Sequence, residues 1–76
     1  MKTDYEFIYF VKVEDKPKTS VWDCRSIEHI ILGQVKWYSH WRQYCFYPDA
    51  DTIFHGGCMQ DICHFIGQLK EERKRK

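Results

Sequence analysis

No apolar run in this 76-residue chain approaches the ~20 residues that a membrane-spanning helix requires. The opening "MKTDYEFIYF" sets acidic residues among its apolar ones and lacks a small-residue cleavage site. No signal peptide is therefore expected, and the chain is read as cytosolic. A carboxylate pair, a nucleophile elbow and a phosphate loop are all missing. A Cys–His nucleophile would need a base steered by a third group inside a cleft, and so small a domain has little cleft to offer. No catalytic residue and no cofactor is assigned, and an enzyme is not expected.

A uniform positive charge is missing too. The net charge is +1, from 12 basic and 11 acidic residues. The terminal "KEERKRK", Lys70 to Lys76, holds five of the basic and two of the acidic residues, which leaves seven and nine, a net of −2, for residues 1–69. A protein held on nucleic acid by bulk charge carries a positive excess over its folded body. Nucleic acid is thus a disfavoured partner, and an anionic ligand would have to be gripped by a few well-placed groups. Residues 70–76 read as a frayed basic tail, a solvated helix end whose cations suit the helix dipole.

Cys24, Cys45, Cys58 and Cys63 make an even count, but without a secretory signal they read as reduced thiols rather than a disulfide framework. The segment "HGGCMQDICH" raises the question of zinc. His55 and Cys58 have the spacing of one ligand pair; Cys63 and His64 are adjacent, point apart on a helix and fail as the second. No metal is assigned.

Aromatic residues are abundant, with five Tyr, five Phe and three Trp. Each buries roughly 150–250 Å², enough to close one small core without a disulfide or a metal. One domain is expected over residues 1–76, built as an α+β fold: a four-stranded antiparallel meander packed by one C-terminal helix. The first strand, Tyr5 to Val13, has apolar groups on both faces, which suits a central strand or an oligomer contact. The second, Thr19 to Ser26, turns Trp22 and Cys24 inward and Asp23 and Arg25 outward. Residues 27–30 connect to a third strand, Ile31 to Tyr38, and a fourth runs from Trp41 to Tyr47. The helix spans about Gly57 to Arg73, with Met59, Ile62, Cys63, Ile66 and Leu69 in its apolar stripe and Phe65 beside them. Gln60, Asp61, His64 and Gln68 take the wet side, where Asp61 and His64 are close enough to touch as a solvated pair.

The densest stretch is "VKWYSHWRQYCFYPD", Val35 to Asp49. A two-residue turn at Ser39 and His40 pairs Tyr38 with Trp41, Trp37 with Arg42, Lys36 with Gln43, Val35 with Tyr44 and Gly33 with Phe46. One face is then Gly33, Val35, Trp37, Arg42, Tyr44 and Phe46, mostly core, with Arg42 at the rim stacking on Trp37. The other face is Gln34, Lys36, Tyr38, Trp41, Gln43 and Cys45, a mixture of flat rings, amides and cations suited to stacking on a base and pairing with a phosphate. The same face would serve equally as a dimer contact. At the helix start, Gly56 and Gly57 would let an anion approach free amide groups, although a simple turn into the helix explains two glycines as well.

The segments "KTSVWDC", "LGQVKWYSHWRQYCFYPD" and "CMQDICHFI" resemble a family of small uncharacterised proteins of bacteriophages and prophages that share an L-G-x-V-K-W-Y-x-x-W-R-x-Y-x-F-x-P motif. The resemblance covers about residues 17–69. It implies a phage accessory protein acting in the cytoplasm of a bacterial host, where such proteins often counter host defence. It supplies no catalytic residues. This chain departs from the pattern before Leu32, where "SIEHII" stands in place of a turn rich in Ser or Gly.

Taken together, these observations point to a non-catalytic phage protein that captures a nucleotide-like ligand, such as a host defence signal, through Lys36, Tyr38, Trp41, Arg42, Gln43, Gly56 and Gly57. Two alternatives stand beside it: a module that binds and inhibits a host protein, and a nucleic-acid-binding accessory factor. A ligand shared between subunits, and hence a homo-oligomer, is left open.

Overall fold

Alternation of apolar and polar residues sets the strands, and a change to helical spacing after Gly56 sets the single helix. The computed structural model describes residues 1–74. Its elements are β1 (Ile8–Asp15), β2 (Ser20–Ser26), β3 (Ile31–Tyr38), β4 (Gln43–Pro48) and α1 (Gly56–Lys74). The strands form one antiparallel sheet in the order β1-β2-β3-β4, the expected meander, and α1 covers one of its faces. No helix among the described residues is long and apolar enough to cross a membrane.

The core lies between that face and α1. Ile8 and Phe10 of β1, Trp22 and Cys24 of β2, Val35 of β3 and Tyr44 of β4 meet Cys58, Ile62, Phe65 and Leu69 of the helix. Phe65 is fully buried; its ring stacks on Phe10 at 3.9 Å and meets Trp22 edge-on at 5.0 Å. Polar tips inside the core are satisfied. Trp22 Nε1 donates to Ser20 Oγ at 2.8 Å, and the Tyr44 hydroxyl accepts the Ser20 amide at 3.1 Å.

Several expectations need correction. β1 is an edge strand, not a central one. The N-terminal residues fold back along its free edge, with the Phe10 amide donating to Thr3 O at 2.9 Å and Asp4 bridging to Tyr9. Gln68, assigned to the wet side, pins that arm to the helix: its side chain accepts from the Lys2 amide and donates to Lys2 O. Asp23 points away from the helix as expected yet is buried, because Arg25 and Gln34 cover it and donate to its carboxylate at 3.1 and 2.9 Å. The helical stripe runs through Cys58, Ile62, Phe65 and Leu69, while Met59 and Cys63 are exposed. The large Phe65 ring fixes this rotation, since only with Phe65 inward can it fill the space over Phe10. Helical structure continues through Lys74, so residues 70–74 are not frayed; residues 75 and 76 of the expected tail lie outside the described residues.

The departure before Leu32 still folds as a turn, because Ser26 supplies the missing turn chemistry. Its hydroxyl accepts the Glu28 and Ile30 amides at 3.2 and 3.3 Å, and its carbonyl accepts the His29 amide at 2.8 Å. His29 takes a left-handed φ of 69° and its ring meets the Tyr9 hydroxyl at 2.7 Å.

Candidate functional site

Everything about the aromatic hairpin turns on its register. β3 and β4 pair Tyr38 with Gln43, Trp37 with Tyr44, Lys36 with Cys45, Val35 with Phe46 and Gly33 with Pro48. The expected register is therefore displaced by two residues. A displacement of two keeps every strand side chain on its own face, whereas one of a single residue would have exchanged them. The cost falls on the turn: Ser39, His40, Trp41 and Arg42 form a four-residue loop, so β4 begins at Gln43 and not at Trp41. The loop is built from successive tight turns, with the Trp41 amide donating to Tyr38 O at 3.3 Å and the Arg42 amide to Ser39 O at 3.2 Å. Arg42 then reverses the chain at a left-handed φ of 54°, an arrangement common in hairpin loops of this length.

Trp41 and Arg42 leave the loop for different surfaces. Trp41 is 67% exposed and stands edge-on to Tyr38, with ring centroids 5.1 Å apart. Tyr47 approaches the same Tyr38 ring at 6.4 Å, and the Lys36 ammonium sits 4.5 Å above the Tyr47 ring. Gln43 lies directly across from Tyr38. Lys36, Tyr38 and Trp41 are thus brought together on the face that α1 leaves open, Gln43 borders it by its pairing with Tyr38, and Tyr47, which the sequence reading did not include, completes the patch. Desolvation, then Cys45 and Tyr38, raise the Tyr47 phenol above its ordinary value. The phenol stays neutral at physiological pH, and the local cation is Lys36.

Arg42 belongs to the other side. It lines a cleft of about 440 Å³ with Trp37, Ile66, Lys70, Arg73 and Lys74, and Gln43 borders this cleft as well. The cation stacked on Trp37 is Arg73, 4.0 Å from the ring centroid, and not Arg42 as expected. The signal for Arg73 was present: Ile66, Lys70, Arg73 and Lys74 share one side of an unbroken helix, but reading the tail as frayed hid it.

Gly56 and Gly57 join neither surface. They open α1 at the Pro48 end of β4, and the six residues of that strand put about 17–20 Å between this end and the aromatic loop. The amides expected to be free for an anion are occupied. His55 Nδ1 accepts from the Gly57 and Cys58 amides at 3.0 and 3.3 Å, and His55 O accepts from Met59 at 3.1 Å. A Cβ on Gly57 would lie 2.9 Å from the His55 ring, so the glycine serves the histidine cap.

His55 Nε2 also lies 3.4 Å from Cys58 Sγ. With Nδ1 accepting, Nε2 carries the proton and donates to the sulfur. Among the described residues no group of three or more His, Cys, Asp or Glu is arranged to hold a metal. His64 Nδ1 lies 2.8 Å from the Tyr5 hydroxyl, so the histidine's partner is the N-terminal arm and not Asp61. Burial first, then the nearby Cys58, push the Cys24 thiol up to about 12.

No family model matches the sequence, and no solved structure matches it. It is 32% identical over 73 residues to an uncharacterised 9.3 kDa protein of Acholeplasma phage L2, an alignment that covers 92% of each chain.

Proposed function

We propose a function from the premise that this chain belongs to the phage protein family of the Acholeplasma phage L2 relative: it is a non-catalytic binding protein that captures a nucleotide-like ligand on the open sheet face. The observation that carries this reading is Trp41, an indole left 67% exposed at the tip of the hairpin and held edge-on by Tyr38. The core does not use it. An exposed ring beside Tyr38, Tyr47 and the Lys36 cation supplies a stacking surface and a phosphate partner within one patch. A base stacked on Trp41 is worth roughly 1–3 kcal/mol, and Lys36 adds a phosphate contact beside it. In a phage protein, the ligand that fits this role is a host defence signalling nucleotide, and its capture would blunt the response.

The test is equilibrium dialysis of the protein against a panel of linear and cyclic nucleotides, with Trp41→Ala/Lys36→Ala as the control. The double variant should keep the wild-type melting temperature and lose binding by about a hundredfold, the sum of one stack and one ionic contact. Wild-type affinity in that variant refutes the assignment. A second reading, inhibition of a host protein, draws support from Val11, Val21, Gln34 and Lys36, which the strand pairing places on the sheet face that α1 leaves open. In that case the purified protein carries no nucleotide and retains one host partner. The third, a nucleic-acid accessory factor, predicts binding that weakens steeply with salt and fits poorly with the net −2 of residues 1–69.

A further inference from the structure

The cations on the helix side of the hairpin have no part in the open-face patch. We propose that the cleft between the β3–β4 loop and the last turns of α1 is a second binding site, one that takes the di- or triphosphate group of a small soluble ligand. Among the described residues four cations line it, Arg42 from the loop and Lys70, Arg73 and Lys74 from the helix, and no carboxylate does.

Compensation of the helix dipole explains cations in the last turn, where Arg73 and Lys74 sit. It does not explain Arg42, which comes from another element. Nor does the loop explain Arg42, since a left-handed φ of 54° is disfavoured for any residue with a Cβ and suits glycine or asparagine. Residues held in such conformations gather at binding sites. Among the described residues, Arg42 and Lys70 make no ion pair.

Arg73 is already set for an oxyanion. Its guanidinium carbon lies over Trp37, 4.0 Å from the ring centroid, and Nη1 donates to Lys18 O at 2.9 Å. These two contacts hold the guanidinium at the cleft and leave its other N–H groups for a ligand, in the fork that matches phosphate. Among the described residues Lys74 pairs with Glu71 at 3.9 Å, an exposed contact that a phosphate readily displaces. A cleft of about 440 Å³ is the size of a small-ligand site. Four positive charges in one cleft, with a net −2 over residues 1–69, suit a compact polyanion better than a long strand.

The experiment is calorimetric titration with tripolyphosphate at constant ionic strength, followed in parallel by the indole N–H resonance of Trp37. Saturable one-to-one binding that moves the Trp37 signal is expected. Arg42→Gly keeps the loop conformation and should weaken binding by about tenfold or more, as should Lys70→Ala. Lys16→Ala, which removes an equal charge elsewhere, should leave binding unchanged. Trp41→Ala should also leave it unchanged, which separates this site from the open face. ATP that competes with tripolyphosphate and is weakened by Arg42→Gly but not by Trp41→Ala supports a nucleotide source for the phosphates at this cleft. No saturation at millimolar tripolyphosphate, equal losses in Arg42→Gly and Lys16→Ala, or tighter binding of a short oligothymidylate each overturn the proposal.

Discussion

Replacing Arg42 by glycine separates the observed hairpin register from the two-residue turn that the sequence suggests, because the sign of the effect differs. In the structure Arg42 closes a four-residue loop at φ 54°. Holding an L-residue there costs about 1–2 kcal/mol, which glycine avoids. Glycine in turn loses roughly 0.5–1 kcal/mol through the greater freedom of the unfolded chain. Removing one of four neighbouring cations also relieves repulsion by a few tenths of a kcal/mol. The net is a stabilisation of about 0.5–1 kcal/mol, or roughly 2–8 °C in melting temperature for a domain this small. With a turn at Ser39 and His40, Arg42 would be a strand residue opposite Trp37. Glycine would then cost about 1 kcal/mol in strand propensity and about 0.5–1 kcal/mol in lost stacking, and the melting temperature would fall by at least about 6 °C. Thermal melts by circular dichroism, with urea midpoints as a check, measure the difference directly. A fall on Arg42→Gly refutes the loop and, with it, the cleft built on that side chain.

Two further outcomes follow from the core. Gly33→Ala puts a Cβ 2.5 Å from Tyr47 O and 2.9 Å from Pro48 Cα, so β4 itself must move. A loss of about 1–3 kcal/mol, or roughly 4–24 °C, is expected, and a melting temperature unchanged within about 2 °C contradicts the close approach of the two strands. The Cys24 thiol, pushed up to about 12 in the folded protein, ionises from the ordinary value of 9.0 once unfolded. The unfolded state therefore holds fewer protons between those values, and stability present below pH 9 is lost as pH rises towards 12. Cys24→Ala should flatten this alkaline decline, and a decline of the same slope in that variant counts against the assignment.

The architecture could be read from the sequence because side-chain alternation survives errors in pairing. Val35, Trp37, Tyr44 and Phe46 keep the helix side and Lys36, Tyr38 and Gln43 the open side whether the register is displaced by none or by two. The loop could not be read in this way. With no Asn-Gly pair to mark it, "YSHWRQ" gives no sign that Arg42 will take a left-handed conformation, and the division between Trp41 and Arg42 depends on that one residue. The helix failed differently. Apolar residues at 58, 59, 62, 63, 65, 66 and 69 cover more than one stripe, so periodicity permits more than one rotation, and only packing of Phe65 on Phe10 selects among them. The His55 cap was hidden because histidine is not among the usual N-cap residues, and its glycine partners suggested a ligand instead.

The distribution of unused chemistry supports binding as the work of the hairpin end. At the opposite end polar groups are consumed internally: His55 caps the helix and Ser26 closes its turn, while midway along the sheet edge Gln68 holds the N-terminal arm. That arm also occupies part of the β1 edge, and the Lys12–Asp15 and Lys16–Glu14 pairs place further charges along and beyond it. Such an edge discourages strand-to-strand association. At the β3–β4 loop the balance reverses. An indole faces solvent on one side, and on the other, among the described residues, cations line a cleft that no carboxylate lines. A domain that needed only to fold would gain from a short loop with glycine at position 42 and a polar residue at 41. The presence of tryptophan and arginine at those positions is what the binding readings explain, and it is why substitutions there should alter affinity while leaving the fold intact.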